Sequence, residues 1–286
     1  MTATWAVRGR TLPLDRPIVM GIVNVTPDSF SDGGLAYPPA SALEHAITLV
    51  AEGADILDIG GESTRPGAQP VSETEELERI LPLIAALRQA HPDVPLSVDT
   101  VKSGVADAAV REGAEIVNDV SGMRLDARMA SVCARHGVGV VLMHSRGGVA
   151  DMATYAHADY DGDVVDVVLH ELRERLESAA AAGVSRDCVA IDPGIGFGKR
   201  SAHSLRLLGS LERFAELGLP VVVGASRKRF IGEITGETDA SRRVFGSVGA
   251  AVSAYVGGAA VLRVHDVAAT RQALDVAAAI RAAASQ

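Results

Sequence analysis

Ile56-Leu-Asp-Ile-Gly-Gly-Glu-Ser-Thr-Arg-Pro-Gly67, followed by Ser72-Glu-Thr-Glu75 and a helical pattern to residue 90, holds every part of one folding unit. Residues 56–59 are a short apolar run without alternation, as expected of a strand buried on both faces of a parallel sheet. The glycines and proline of 60–67 make a loop, and Ser72 with Glu75 forms a capping box opening a helix over 73–90. Seven further runs of this kind lie at 18–25, 96–98, 115–117, 139–143, 189–191, 221–223 and 260–264, with helical patterns such as 41–51 and 164–182 between them. The 270 residues from Pro17 onward divide into eight units of about 34, the size of a strand plus a helix. Eight such units predict an α/β fold, a (β/α)₈ barrel. Ahead of them, 5–7 and 11–14 flank Arg8-Gly9-Arg10 and predict a small hairpin placed to close the barrel floor. No linker-like tract divides the chain, so 1–286 reads as one domain, a hairpin over 1–16 and a barrel over 17–286.

Composition narrows the function. An apolar share of 48% with 22% charged residues excludes a disordered or collagen-like chain. A net charge of −9 without a Lys/Arg block argues against nucleic acid and anionic membranes as partners. Any bound polyanion must be held by a few converging cations. Cys133 and Cys188 lack metal-ligand spacing and read as reduced thiols. The opening MTATWAVRGRTLPLDRP has no signal-peptide core, and no run reaches the ~18 apolar residues of a membrane span, so a cytoplasmic location is expected.

Polar groups follow every apolar run: Asn24, then Asp58 leading into Gly60-Gly61-Glu62, Asp99, Asn118-Asp119, His144, Asp192, Ser226-Arg227-Lys228, and Arg263 with His265-Asp266. Singly, each is as well explained as a helix cap or a rim salt bridge. Together they crown one end of the barrel, the end where active sites of this fold lie. Long loops at 26–39 and 144–162 open on the same face. Other motifs fail. The segment from His157 mimics a calcium loop but has His170 where Glu is required, and reads better as a loop leading to an Asp-capped helix. Residues 194–199 lack the spacing of a phosphate-binding loop, so their glycines are read as tight turns after Asp192. There is no GxSxG and no HExxH.

The residues do resemble one family. Val19-Met-Gly-Ile-Val-Asn-Val-Thr-Pro-Asp-Ser-Phe-Ser-Asp-Gly-Gly34 and Gly53-Ala-Asp-Ile-Leu-Asp-Ile-Gly-Gly-Glu-Ser-Thr-Arg-Pro-Gly67 look like the two signatures of the dihydropteroate synthases. Shorter matches follow in family order: Ser-Val-Asp-Thr100, Val117-Asn-Asp-Val, Leu142-Met-His, Asp192-Pro-Gly-Ile-Gly-Phe-Gly-Lys, Gly224-Ala-Ser-Arg-Lys-Arg-Phe-Ile-Gly and Arg263-Val-His-Asp-Val. The resemblance implies a transferase of folate synthesis. It condenses (7,8-dihydropterin-6-yl)methyl diphosphate with 4-aminobenzoate to 7,8-dihydropteroate and diphosphate, and is a sulfonamide target.

By that resemblance Asp192, helped by Asn118, takes the donor edge of the pterin, with Met143 and Gly224 beside the ring. Lys228 meets the carbonyl side, and Asp99 sits near the ring nitrogen that gains charge as the C–O bond breaks. Asn24, Thr64, Arg65, Arg263 and His265 take the diphosphate, Asn24 also as a Mg²⁺ ligand. Phe30, Thr64, Arg65, Pro66, Phe197 and Ser226 form the aminobenzoate pocket, Ser226 at the start of a helix. Asp99, Lys228, Arg263 and His265 carry the catalysis. Two alternatives remain open at this point: a folate-binding methyltransferase domain serving a corrinoid protein, and a non-catalytic pterin-binding paralogue. The small residues of 247–258, with the resemblance, imply a homodimer through the C-terminal helices. Loops 26–39 and 63–72, short of apolar anchors, are expected to order only once the pterin diphosphate is bound.

Overall fold

The computed structural model describes residues 4–25, 39–63 and 69–284. Phe30, Thr64, Arg65 and Pro66, and most of the two loops expected to order on binding, lie outside the described residues. Strands β1 (Thr4–Val7) and β2 (Arg10–Pro13) pair as an antiparallel hairpin. Then follow β3 (Ile18–Asn24), α1 (Pro39–Ala51), β4 (Ile56–Gly60), α2 (Glu73–Ala90), β5 (Leu96–Asp99), α3 (Ser103–Glu112), β6 (Ile116–Asp119) and α4 (Met129–His136). The second half runs β7 (Gly139–Met143), α5 (Val164–Ala181), β8 (Val189–Asp192), α6 (Ser201–Leu208), β9 (Val222–Val223), α7 (Arg229–Thr235), α8 (Val244–Val256), β10 (Val261–Val264) and α9 (Val267–Ala284). Strands β3 to β10 form one parallel sheet of eight, closed by the Ile191–Val221 bridge between β8 and β9. The eight predicted runs are these strands, and the predicted hairpin is present. One departure is that two helices, not one, separate β9 from β10. Gly236, with a left-handed φ of 75°, ends the first after barely two turns.

Alternation along each strand sorts side chains to two cores. Val19, Val23, Leu57, Ile59, Val98 and Val140 belong to the large core between barrel and helices. Ile18, Met20, Ile56, Ile116, Val141, Ala190, Val222 and Val261 cluster with Trp5 and Val7 of the hairpin. The hairpin therefore plugs the bottom of the barrel. Trp5 is fully buried there, and its indole N–H donates to the Cys188 carbonyl at 2.8 Å.

Register then fixes which interior side chains share a level. Arg263 pairs with Met20, and Met20 with Ile56. In a barrel of tilted strands the level partner of Arg263 lies two residues beyond Ile56, at Asp58. The same step runs from Asp58 through Ser97 and Ile116 to Asn118, and from Asn118 through Val141 and Ala190 to Asp192. From Asp192 the closing bridge and the Val222–Val261 pair lead back to Arg263. Four steps of two give a shear of eight, that of a closed (β/α)₈ barrel. Asp58, Asn118, Asp192 and Arg263 thus form one layer from alternate strands. The apolar residues Ile56, Ile116, Ala190 and Val261 lie beneath it, and Ile22, Asp99, Met143 and Gly224 lie above. Among the described residues no helix is long and apolar enough to cross a membrane.

Trp5→Ala should lower unfolding free energy by about 3–5 kcal/mol, the usual cost of deleting a buried aromatic. A urea midpoint within error of the wild type would mean that the hairpin is not part of the cooperative core.

Candidate active site

The polar layer is held together by charge. Asp58, with no exposed surface, accepts from Asn118 Nδ2 at 3.0 Å and from Arg263 Nε at 2.5 Å, both through Oδ2. Arg263 Nη2 donates to Asp99 Oδ2 at 2.7 Å, so one guanidinium spans carboxylates in two adjacent layers. Burial raises the Asp99 carboxyl above the ordinary carboxylate range; Arg263 opposes that rise and the neighbouring Asp58 adds to it. Asp192 is also raised by burial, with Lys228 pulling the other way. Its Oδ1 accepts the Gly194 N–H at 2.7 Å, which ties it to the turn that follows β8. Gly194 has φ 70°, and a Cβ there would overlap the His144 carbonyl oxygen, so this turn requires glycine.

Above the layer a cavity of about 600 Å³ opens at the C-terminal end of the strands. Asn24, Asp99, Phe197, Ser226, Lys228, Arg263 and His265 all line it. Lys228 Nζ donates to the Ile195 carbonyl and stands 4.5 Å from the centre of the Phe197 ring. Burial pushes the Lys228 ammonium down to about 8, against the attraction of Asp192. A Cβ on Gly224 would stand 3.8 Å from Arg263 and 4.0 Å from Lys228 Nζ, so the bare backbone keeps this corner open. Met143 sits in a small apolar cluster with Val101, Val120 and Met152, and Phe197, which lines the cavity, packs on that cluster.

Ser226 is not placed as the sequence suggested. Helix α7 begins at Arg229 with Lys228 as its N-cap, so Ser226 precedes the helix by three residues. Its hydroxyl accepts from His265 N–H at 3.2 Å and lies 3.0 Å from His265 Nδ1, coupling the ends of β9 and β10. Arg227 between them has φ 58°, rare for a side-chain-bearing residue, and is held by Asp266 at 2.5 and 3.0 Å.

Two groups were given no role by the sequence reading. Asp58 was counted there only among the polar groups at the barrel's rim, although a carboxylate inside an apolar run is itself a sign of a buried polar role. The other is a buried chain behind the cavity. Lys199 Nζ lies 2.8 Å from His144 Nδ1, 3.0 Å from the Phe197 carbonyl and 3.4 Å from the His144 carbonyl. His144 Nε2 meets Glu171 Oε2 at 2.9 Å; an ionised carboxylate only accepts, so Nε2 carries the proton. Burial works upward on Glu171, but hydrogen bonds from His144 and Arg146 outweigh it and hold the carboxyl at about 2. Burial, then the Lys199 charge, push His144 down to about 3. These residues fix the segment carrying Ile195 and Phe197 against the end of β7.

The chain matches the family described as pterin binding enzyme over residues 20–265. A relative from Synechocystis sp., named dihydropteroate synthase, is 44% identical over 93% of this chain and 90% of its own. The Xanthomonas albilineans dihydropteroate synthase solved with 4-aminobenzoic acid is 48% identical, with a TM-score of 0.91 over 99% of both chains. The same enzyme solved in complex with 7,8-dihydropteroate is 47% identical, with a TM-score of 0.87 over 98% of this chain and 99% of that one.

His144 makes acid stability a test of the buried chain. The native imidazole stays neutral down to about pH 3, whereas the unfolded one takes a proton below its ordinary 6.5. Stability therefore falls with pH through this window, by up to about 1.4 kcal/mol per pH unit from this group. His144→Gln should flatten the decline of the urea midpoint between pH 6.5 and 3. An equal slope would mean that His144 is not buried neutral.

Proposed function

The chain belongs to the dihydropteroate synthases, within the pterin-binding enzymes, and from that premise we propose how its own residues divide the work. It is a transferase of folate synthesis that joins (7,8-dihydropterin-6-yl)methyl diphosphate to 4-aminobenzoate, giving 7,8-dihydropteroate and diphosphate. The observation that carries the assignment of roles is the four-residue polar layer under a cationic cavity. A pterin presents a flat edge of N–H donors, and Asp192 with Asn118 offers acceptors at the right depth to receive it. Lys228 meets the carbonyl side of the ring, with Met143 and the open corner at Gly224 beside it.

In the reaction the amine nitrogen of aminobenzoate attacks the methylene carbon, the C–O bond to diphosphate breaks, and the amine loses a proton. The nucleophile is weak, so stabilising the departing anion is the main lever. In an otherwise acidic protein Arg263 on β10 and His265 just past its end both line the cavity and converge on that anion. Asp99 faces the ring nitrogen where positive charge develops. Asn24 ends β3 at the cavity wall with an amide oxygen, a hard neutral donor, and fits Mg²⁺ carried mainly by diphosphate and water oxygens. When bound, that ion would neutralise part of the leaving charge. Phe197 and Ser226 give the aminobenzoate pocket an apolar wall and a hydroxyl; Phe30, Thr64, Arg65 and Pro66 are assigned to it and to the diphosphate by the family motif alone. Sulfonamides, as aminobenzoate mimics, are expected inhibitors.

Diphosphate release that requires 4-aminobenzoate is the test of this reading, and release without it, or none, would refute it. Asp192→Asn should abolish pterin binding, because an amide cannot accept on both atoms. The wild-type rate should fall above pH about 8 as Lys228 loses its proton. A flat alkaline limb would remove Lys228 from the pterin site.

We also infer a homodimer through α8 and α9. Phe245 is 91% exposed and shares a face of α8 with Gly249, Val252 and Val256 at helical spacing, while Val276 and Ile280 stand exposed on α9, which packs on α8. A Cβ on Gly249 would meet nothing within 4 Å, so the face is flat and open to close approach. Sedimentation at micromolar concentration should give a dimer for the wild type and a monomer for Phe245→Glu; a monomeric wild type would overturn the inference.

A further inference from the structure

Asp58 is the one member of the polar layer to which the functional reading assigns nothing. It is fully buried, its Oδ1 has no hydrogen-bond partner among the described residues, and its Oδ2 alone receives both Asn118 Nδ2 and Arg263 Nε. A buried carboxylate with an orphan oxygen costs stability, and an apolar residue of similar size would fill the level without that cost. Its retention calls for a reason beyond packing.

Hydrogen-bond polarity supplies one. An ionised carboxylate accepts and cannot donate, so the Asn118 amide must turn its nitrogen toward Asp58. The end of that amide turned away from Asp58 is then Oδ1, an acceptor. Asp192, the next member of the layer, is an acceptor as well. Two neighbouring acceptors select a ligand edge made of donors and repel one that presents a carbonyl oxygen. We propose that Asp58 is a positioning residue that sets the specificity of the site by locking Asn118 in its acceptor orientation. It does so without touching the ligand, and the same oxygen holds Arg263 by Nε so that its outer nitrogens face Asp99 and the cavity. The proposal rests on the assignment of the pterin edge to Asn118 and Asp192 made above.

The test compares two probes by calorimetry: pterin, and lumazine, in which a carbonyl oxygen replaces the 2-amino donor. The wild type should prefer pterin. Asp58→Leu removes the acceptor and frees the Asn118 amide to flip, so pterin affinity should fall and the pterin-to-lumazine ratio should collapse by at least about tenfold, the scale of one buried hydrogen bond. A merely structural lesion weakens both probes alike and leaves the ratio unchanged; that result overturns the proposal. Asp58→Asn is the conservative rescue. Its amide oxygen can take the place of Oδ2, accept from Asn118 Nδ2 and Arg263 Nε and keep the lock. This variant should keep the wild-type preference, and should Asp58→Leu show no cooperative thermal transition, a lost preference in Asp58→Asn overturns the proposal. A wild type that does not prefer pterin would instead refute the pterin-site assignment, and that failure is separate from an unchanged ratio in Asp58→Leu.

Discussion

One guanidinium between two carboxylates organises the inside of this barrel. Arg263 is gripped from the side by Asp58 at 2.5 Å and from above by Asp99 at 2.7 Å. Each of the three charges alone would be costly at that depth; paired, they offset one another in a space walled by Ile, Val and Met. The layer above then inherits a fixed direction of charge. Lys228 faces Asp192, the Asp99 carboxyl lies against the cation, and the rest of the Arg263 fork is turned toward the cavity. An anionic ligand arriving there meets a cation already aimed and mostly withdrawn from solvent, with little reorganisation left to do.

The fold was legible because its signals are local. Short unbroken apolar runs, such as 139–143, announce strands covered on both faces, and Ser72 and Asp163 cap helices where their side chains accept from Glu75 and Val165 backbone N–H groups. The polar residues at the strand ends were legible for the same reason. Their grouping into layers was not. Whether Asp58 shares a level with Asn118 or with Val117 depends on the shear of the closed barrel, which no window of sequence contains. Ser226 shows the same limit from another side. The Gly-Ala-Ser-Arg-Lys motif suggested a helix start, but Arg227 takes a left-handed φ held by Asp266 from a strand away, and the helix is delayed to Arg229. The division of the stretch between β9 and β10 into two helices was also unread, because α7 is only seven residues long and too short for a periodic pattern.

The chain behind the cavity shows how a glycine-rich turn can be made rigid. Residues 194–198 include three glycines with left-handed φ, a segment with little intrinsic preference for one shape. Lys199 reaches back beneath it to His144 and to the Phe197 carbonyl, and Tyr160 bonds the Gly198 carbonyl at 3.0 Å. Flexibility of the bare chain has been exchanged for a precise backbone, which places the Ile195 carbonyl where it receives Lys228.

The plugged floor has a consequence for traffic. Among the described residues Trp5 and the apolar layer above it close the narrow end, so the barrel is a pit that opens at its upper cavity. Whatever rests on the Asp58–Asp192 level must pass every group that lines the upper cavity, and nothing can leave past it below. With two ligands stacked in such a pit, the deeper one enters first and departs last. For such a pair the shape of the hole would constrain the sequence of loading whatever the relative affinities of its occupants.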